Sequence, residues 1–195
     1  KDFGRYLDTD GDGIPNRTYP GTHPKRGGYF TRGTSKDRYA RYTEDGNAYV
    51  DNMQRLLRKF ETAKSLVPKP ELTAAQFPAR FGAIYYGSTS FAMEEALHSL
   101  AAQGIYVNAL RIRAFPFQDE IAEFVASHNK VFVVEQNRDA QLKTLLVNDA
   151  GINPANLLSV LHYDGTPITA RFIVKEIMEA ASALNVRPIR KDKVA

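Results

Sequence analysis

The sequence predicts an α/β protein: a three-layer α-β-α domain on a mostly parallel sheet, preceded by an extended Gly/Tyr/Arg-rich arm and one linking helix. Three observations carry this. From residue 81 onward, short apolar runs alternate with amphipathic stretches across short connections. Such alternation builds a parallel sheet covered on both faces. Before that point, residues 1–46 hold eight of the 13 glycines together with Pro15, Pro20 and Pro24, a density that breaks helices and strands alike. Charge divides the same way. Residues 1–80 carry 15 Lys+Arg against 10 Asp+Glu, and residues 81–195 carry 11 against 12, so the basicity belongs to the first part.

The arm is not low in complexity. Phe3, Tyr6, Leu7, Ile14, Tyr19, Tyr29, Phe30, Tyr39 and Tyr42 are scattered through it. Disordered segments are poor in aromatics, so the arm is expected to lie ordered against a surface, one supplied by an upstream domain or another subunit. Residues 47–66 read as one helix. Val50, Met53, Leu56, Leu57 and Phe60 form a stripe at helical spacing, and Pro68 and Pro70 end it. Such a stripe serves core or interface packing.

Next come strand 81–86, helix 91–103 with Ser88 or Ser90 as N-cap, and strand 105–112 after Gly104. Pro116 introduces a helix over 119–127, and VFVVE (131–135) is the third strand of this region. Asp139 caps a helix through Val147. LLSVL (157–161) is the fourth strand, and Thr166 and Pro167 suit N-cap and N1 of a last helix reaching about Leu184.

Composition excludes several chemistries. The chain has no Cys, so it makes no disulfide, offers no thiol nucleophile and gives an iron–sulfur cluster no thiolate. No apolar run approaches membrane-spanning length and no signal-peptide pattern opens the chain, so a cytoplasmic protein without a membrane partner is expected. The first residue is Lys1 rather than Met, which suggests a fragment or a processed product.

Several motifs invite chemistry. DTDGDG (8–13) places Asp at positions one, three and five of an EF-hand loop and Gly at six, but Tyr19 stands where the bidentate Glu belongs and Pro15 and Pro20 forbid the exit helix. A turn-rich loop is the better reading. Gly11-Asp12-Gly13 is also set aside as a thiamine diphosphate motif, because it follows no buried strand and no Asn occurs near Arg38–Arg41. YYGSTS (85–90) joins a strand to a helix start, where Ser88, Thr89 and Ser90 are anion-binding candidates, with close strand–helix packing as the plainer explanation. His23, His98, His128 and His162 show no metal-ligand spacing, and no Ser–His–Asp arrangement stands out.

The end of the third strand holds more. KVFVVEQNRDAQL (130–142) stops in Glu135, Gln136 and Asn137 at the carboxyl edge of the sheet, where ligands and partners are met in open α/β folds. Arg111 and Arg113 reach the same edge. Arg111, Arg113, Glu135, Asn137 and Gln141 are therefore the interface or edge candidates, with an Arg–Glu pair across neighbouring strand ends as the structural reading. Asp164-Gly165 is a turn.

Taken in order, RYLDTDGDGIPNRTYPG, YFTRGTSKD, MQRLLRKFETAK, FGAIYYGSTSFAMEEAL, LRIRAFPF, VFVVEQNRDAQL and YDGTPITAR resemble the alpha subunit of 2-oxoacid:ferredoxin oxidoreductases, especially the 2-oxoglutarate type. The resemblance implies that residues 1–80 are the tail of an upstream thiamine-pyrimidine domain, and that 81–195 resemble the transketolase C-terminal domain. It implies an enzyme that oxidatively decarboxylates a 2-oxoacid with coenzyme A and passes electrons to ferredoxin. Thiamine diphosphate, Mg2+ and [4Fe–4S] clusters would belong to the whole complex, chiefly to the beta subunit, and none to this chain alone. Its partners would be the beta subunit and upstream alpha or gamma domains, with this portion structural rather than catalytic. A stand-alone α/β domain that binds a small anion or regulates is the alternative. Nucleic acid is not expected, because ten acidic residues accompany the basic ones in 1–80.

Overall fold

A computed structural model describes residues 3–25, 27–28, 33 and 35–184; Tyr29, Phe30 and Thr34 lie outside the described residues. The chain divides into two compact units, Lys1–Val67 and Pro68–Ala195.

In the first unit the helix α1 runs over Gly46–Leu66, with Asp45 as N-cap accepting from the Asn47 amide. The described part of the arm has no strand, only turns and an isolated bridge between Lys36 and Tyr42. It lies on α1 through polar contacts. Thr62 Oγ1 donates to the Asp12 carbonyl at 2.6 Å, Arg58 meets Asp8 at 3.2 Å, and Arg38 forks onto Asp51 at 2.9 and 2.8 Å. Gly13 sits at φ +81°, and a Cβ there would come within 2.3 Å of the Lys59 backbone nitrogen. Only glycine lets the loop approach the helix so closely. The apolar stripe of α1, in contrast, is half or more exposed at Val50, Leu57 and Phe60.

In the second unit the elements follow as β1 (Glu71–Thr73), β2 (Phe81–Tyr86), α2 (Thr89–Ala102), β3 (Val107–Ile112), α3 (Asp119–Ala126), β4 (Lys130–Glu135), α4 (Gln141–Asp149), β5 (Leu157–Leu161) and α5 (Ala170–Ala183). The sheet order is β1-β3-β2-β4-β5. β2 pairs parallel with β3 and β4, and β4 with β5; β1 alone is antiparallel, against β3. The α/β fold with a mostly parallel sheet is therefore present. β1 is an addition that periodicity does not announce, because three residues give no period to detect.

Side-chain alternation along the strands makes two cores. Ala83, Tyr85, Phe132 and Val134 pack under α2 and α5 with Met93, Leu100, Ile173 and Ile177. Ile84, Leu110, Val131 and Val133 face α3 and α4 with Ile121, Phe124 and Leu146. Burial of each such side chain contributes roughly 1.5–3 kcal/mol. Gly82 lets α3 come close, since a Cβ there would stand 2.7 Å from the Phe124 ring.

Two helix starts differ from expectation. The last helix is capped by Thr169, whose hydroxyl accepts from the Phe172 amide, and not by Thr166. Asp164 claims Thr166 instead, taking both its amide and its hydroxyl at 2.8 and 2.7 Å in a turn closed by Gly165 at φ +87°. Asp139 does not cap α4 either, for the reason given next.

Candidate functional site

The chain crosses from β3 to the other side of β2 before forming β4, so the connections after β2 and β4 leave a crevice between their carboxyl ends. Gln136 occupies it. Its Nε2 donates to Ser88 Oγ at 3.2 Å and Thr89 Oγ1 at 3.1 Å, and its Oε1 accepts from the Ile168 amide at 3.2 Å. One side chain thus ties together the turns that follow β2 and β4 and the segment before α5. Ser88 stands at the N-cap position of α2 without capping it; its oxygen serves Gln136. Ser90 follows within the first turn of α2.

Glu135 is fully buried and closes on the helix that follows. Its Oε2 accepts from the Asn137 side chain at 2.8 Å and from the Leu142 amide at 2.7 Å, and its Oε1 from the Lys143 amide at 3.1 Å. It supplies the acceptor that a local N-cap would have given. The N-cap position holds Ala140, in the left-handed region at φ 50°, with no side-chain cap. A carboxylate is well placed there, because it satisfies two orphan amides and opposes the positive end of the helix. Asp139 turns outward to Arg138 Nε at 2.7 Å. Asn137 Oδ1 takes the amides of Asp139 and Gln141 at 3.1 and 3.2 Å. Glu135 and Asn137 therefore work inside the fold.

Arg111 and Arg113 pair with Glu71 of β1, at 3.4 and 3.0 Å. The expected Arg–Glu contact across neighbouring strand ends exists, but its acid comes from the antiparallel strand; Glu135 is on β4, with β2 in between. The guanidinium side chains are 38% and 43% exposed, so water screens the pairs and each contributes about 0–1 kcal/mol.

Arg113 and Gln141 meet at an open pocket of about 410 Å3 at this edge, walled by Tyr86, Phe115, Phe117 and Leu145. An apolar wall with one guanidinium and one amide suits docking of a group that is part apolar and part anionic. None of the described residues lining it offers a carboxylate, imidazole or aliphatic hydroxyl for proton transfer or nucleophilic attack. Arg113 and Gln141 were legible in the sequence but the aromatic wall was not, since Tyr86 ends β2 while Phe115 and Phe117 lie in the connection from β3 to α3.

Two histidines and the acid beside one of them take part in local contacts. His128 hydrogen-bonds the Phe124 carbonyl through Nδ1 at 2.7 Å and Asn108 through Nε2 at 2.9 Å. His162 lies edge-on to Phe172, its Nε2 3.4 Å from Asp164. The Asp164 carboxyl is held below its ordinary range, first by the Thr166 amide and then by the Thr166 hydroxyl.

The carboxylates of Asp8, Asp10 and Asp12 converge within 4.8 Å. Asp8 is already committed to the Gly11 and Gly13 amides at 2.9 and 3.1 Å and to Arg58, which is how a turn closes on itself. Of the groups that the resemblance implies, an iron–sulfur cluster does not fit this chain. The loop with Gly11-Asp12-Gly13 is spent on α1, and the chain has no Cys for a cluster.

No protein-family model matches the chain. Over 185 residues, 91% of its length, it is 28% identical to the alpha subunit of 2-oxoacid:ferredoxin oxidoreductase 2 of Aeropyrum pernix. The chain is similar to part of a 2-oxoacid:ferredoxin oxidoreductase alpha subunit. That part is 28% of the relative's length. Among solved structures, 2-oxoglutarate:ferredoxin oxidoreductase from Magnetococcus marinus, with 2-oxoglutarate, coenzyme A and succinyl-CoA bound, superimposes with a TM-score of 0.76 at 23% identity, over 92% of this chain and 31% of that one. This establishes a common fold. The alpha chain of a probable 2-oxoacid ferredoxin oxidoreductase from Thermoplasma acidophilum aligns at TM-score 0.40 and 28% identity, over 58% of this chain and 97% of that one. A split-gene transketolase aligns at 0.46 and 17%, over 57% and 42%.

Proposed function

We propose that this chain is the C-terminal part of the alpha subunit of a 2-oxoacid:ferredoxin oxidoreductase acting on 2-oxoglutarate. The complex would join the acyl group left by decarboxylation to coenzyme A and pass the electrons to ferredoxin. The observation that carries the reading is the co-linear match to the Aeropyrum alpha subunit across 91% of the chain. In this reading residues 1–80 end an upstream thiamine-pyrimidine domain, 81–195 are the domain resembling the transketolase C-terminal domain, and a beta subunit holds thiamine diphosphate, Mg2+ and the [4Fe–4S] cluster.

The portion in hand is an interface element rather than a centre of chemistry. Two surfaces support this: the exposed Val50, Leu57 and Phe60 stripe of α1, and the Arg113–Gln141 pocket rim. Exposed apolar side chains aligned on one helix face are commonly a docking surface. Glu135 and Asn137 hold the start of α4 behind that rim.

The test is reconstitution. Coexpression of the full-length subunit with its beta subunit is expected to give a complex that reduces ferredoxin only when 2-oxoglutarate and coenzyme A are both supplied. Gln141→Ala with Arg113→Gln is expected to weaken assembly or turnover while leaving the melting of the isolated chain in place. A complex that runs equally fast with residues 81–195 deleted would remove the assignment.

A further inference from the structure

The first unit contains a cavity of about 460 Å3 that the reading above leaves unused. Its lining includes Arg5, Arg17, Arg55 and Lys59, with Tyr6 and Tyr19 and, among the described residues, no Asp or Glu. Arg55 is the anomaly. It is only 6% exposed, yet its guanidinium is bonded to neutral groups. Nη1 donates to the Gly13 carbonyl at 2.9 Å, and Nε and Nη2 share Asn52 Oδ1 at 3.1 and 2.9 Å. Its central carbon stands 5.7 Å from the centre of the Tyr6 ring, a cation–π contact.

Asp51 lies in the field of Arg55, but its two oxygens are forked by Arg38. Arg5 reaches Thr18 Oγ1. Arg17 and Lys59 form no ion pair among the described residues. Buried cations are ordinarily paired with an acid, because desolvating a lone charge is costly. Here helix and arm bring Arg17, Arg55 and Lys59, beside Arg5 on Thr18, to one cavity whose described lining residues include no carboxylate.

We infer that this cavity binds a phosphoryl anion, in the class of inorganic phosphate and diphosphate. Guanidinium groups match phosphate oxygens in pairs, and Lys59 adds a point charge. Convergence of several cations favours a multiply charged oxyanion over a single carboxylate. The volume falls within the range of small-molecule sites, with room for a phosphate-bearing fragment as well as the anion. The part the Gly11-Asp12-Gly13 turn plays here is the Gly13 carbonyl that orients Arg55. The inference stands apart from the enzyme assignment and survives or fails without it.

The purified full chain is titrated calorimetrically with sodium diphosphate, inorganic phosphate and, as an acidic peptide, oligoglutamate, at constant ionic strength in chloride. Saturable one-to-one binding of diphosphate is expected, tighter than phosphate and much tighter than oligoglutamate. R17Q/K59Q is expected to weaken it about tenfold or more, and K59Q alone by an intermediate factor. R41Q, on the same basic segment but outside the cavity and over the Tyr39 ring, is expected to change nothing. Circular dichroism confirms that each variant is folded. Absent diphosphate binding, equal losses in R41Q and K59Q, or oligoglutamate binding as tightly as diphosphate would each overturn the inference, the last by pointing to an acidic protein segment.

Discussion

The two units solve the same problem by opposite means. The sheet unit buries continuous apolar strands between helices, and its polar side chains mend what the backbone leaves open: Gln136 closes the crevice beside β2 and Glu135 caps α4. In the arm unit, polar and glycine contacts hold the loop to α1, while the helix turns Val50, Leu57 and Phe60 outward. The difference teaches that a segment can be well packed locally and still be unfinished as an apolar object. The sheet unit has two cores of its own, whereas the arm unit leaves Val50 and Leu57 exposed on α1.

The comparison is easiest to break in the sheet core. Phe132 is fully buried and stacks edge-on with Phe81. Phe132→Ala is expected to cost about 3–5 kcal/mol, measured by denaturant unfolding, with amide exchange in α1 unchanged if the units melt independently. Loss of α1 protection together with the sheet would show one cooperative body instead of two.

Next comes the cap. Glu135→Ala leaves the buried Leu142 amide and the part-buried Lys143 amide without that acceptor, and is expected to cost roughly 2–3 kcal/mol. Hydrogen exchange should rise in α4 before it rises in β4. If Glu135→Ala leaves the protection of Leu142 and Lys143 as it was, the long-range cap is not what holds the helix.

Acid sharpens the other side. Burial pushes the Asp8 carboxyl up, but hydrogen bonds from Arg58, Gly11 and Gly13 outweigh it and hold it below the ordinary 3.8. A depressed folded-state value means the stabilisation is complete above the unfolded value and is lost as pH falls through the folded one. The arm is therefore expected to loosen from α1 below about pH 4, and Asp8→Asn to remove that acid step. Tyrosine fluorescence of the arm reads it out. An unchanged acid profile in the variant would shift the cause to other carboxylates.

The smallest effects belong to exposed groups. Glu71→Gln is expected to lower stability by less than about 1 kcal/mol, since both of its arginines are screened. Leu57→Ser is expected to leave the melting of the isolated chain within about 0.5 kcal/mol, yet to weaken association with the beta subunit proposed above. A large drop in stability instead would mean that the α1 stripe already has a partner within the chain.

Much of the architecture was legible in the residues alone. The apolar runs at 81–86, 131–135 and 157–161 and the helical stretches between them set the alternation, because a buried parallel strand must be apolar on both faces. The absence of Cys and of a nucleophile constellation limited the chemistry before any coordinates. The edge residues were legible by position but not by role. Arg113 and Gln141 do reach one pocket; Glu135 and Asn137 turn inward as cap and turn. Nothing local distinguishes these outcomes, since each depends on which backbone amides another element presents.

The sequence by itself determined the layering, the order of elements in the sheet domain and the change in character near its start. Period and composition record which faces need burial. Only the tertiary structure decided that β1 adds an antiparallel edge, that Gln136 fills the crevice, that Arg111 and Arg113 pair with Glu71, and that Arg55 is buried among other cations. These are contacts between groups far apart in the chain, set by strand order and helix placement, and no window of neighbouring residues encodes them.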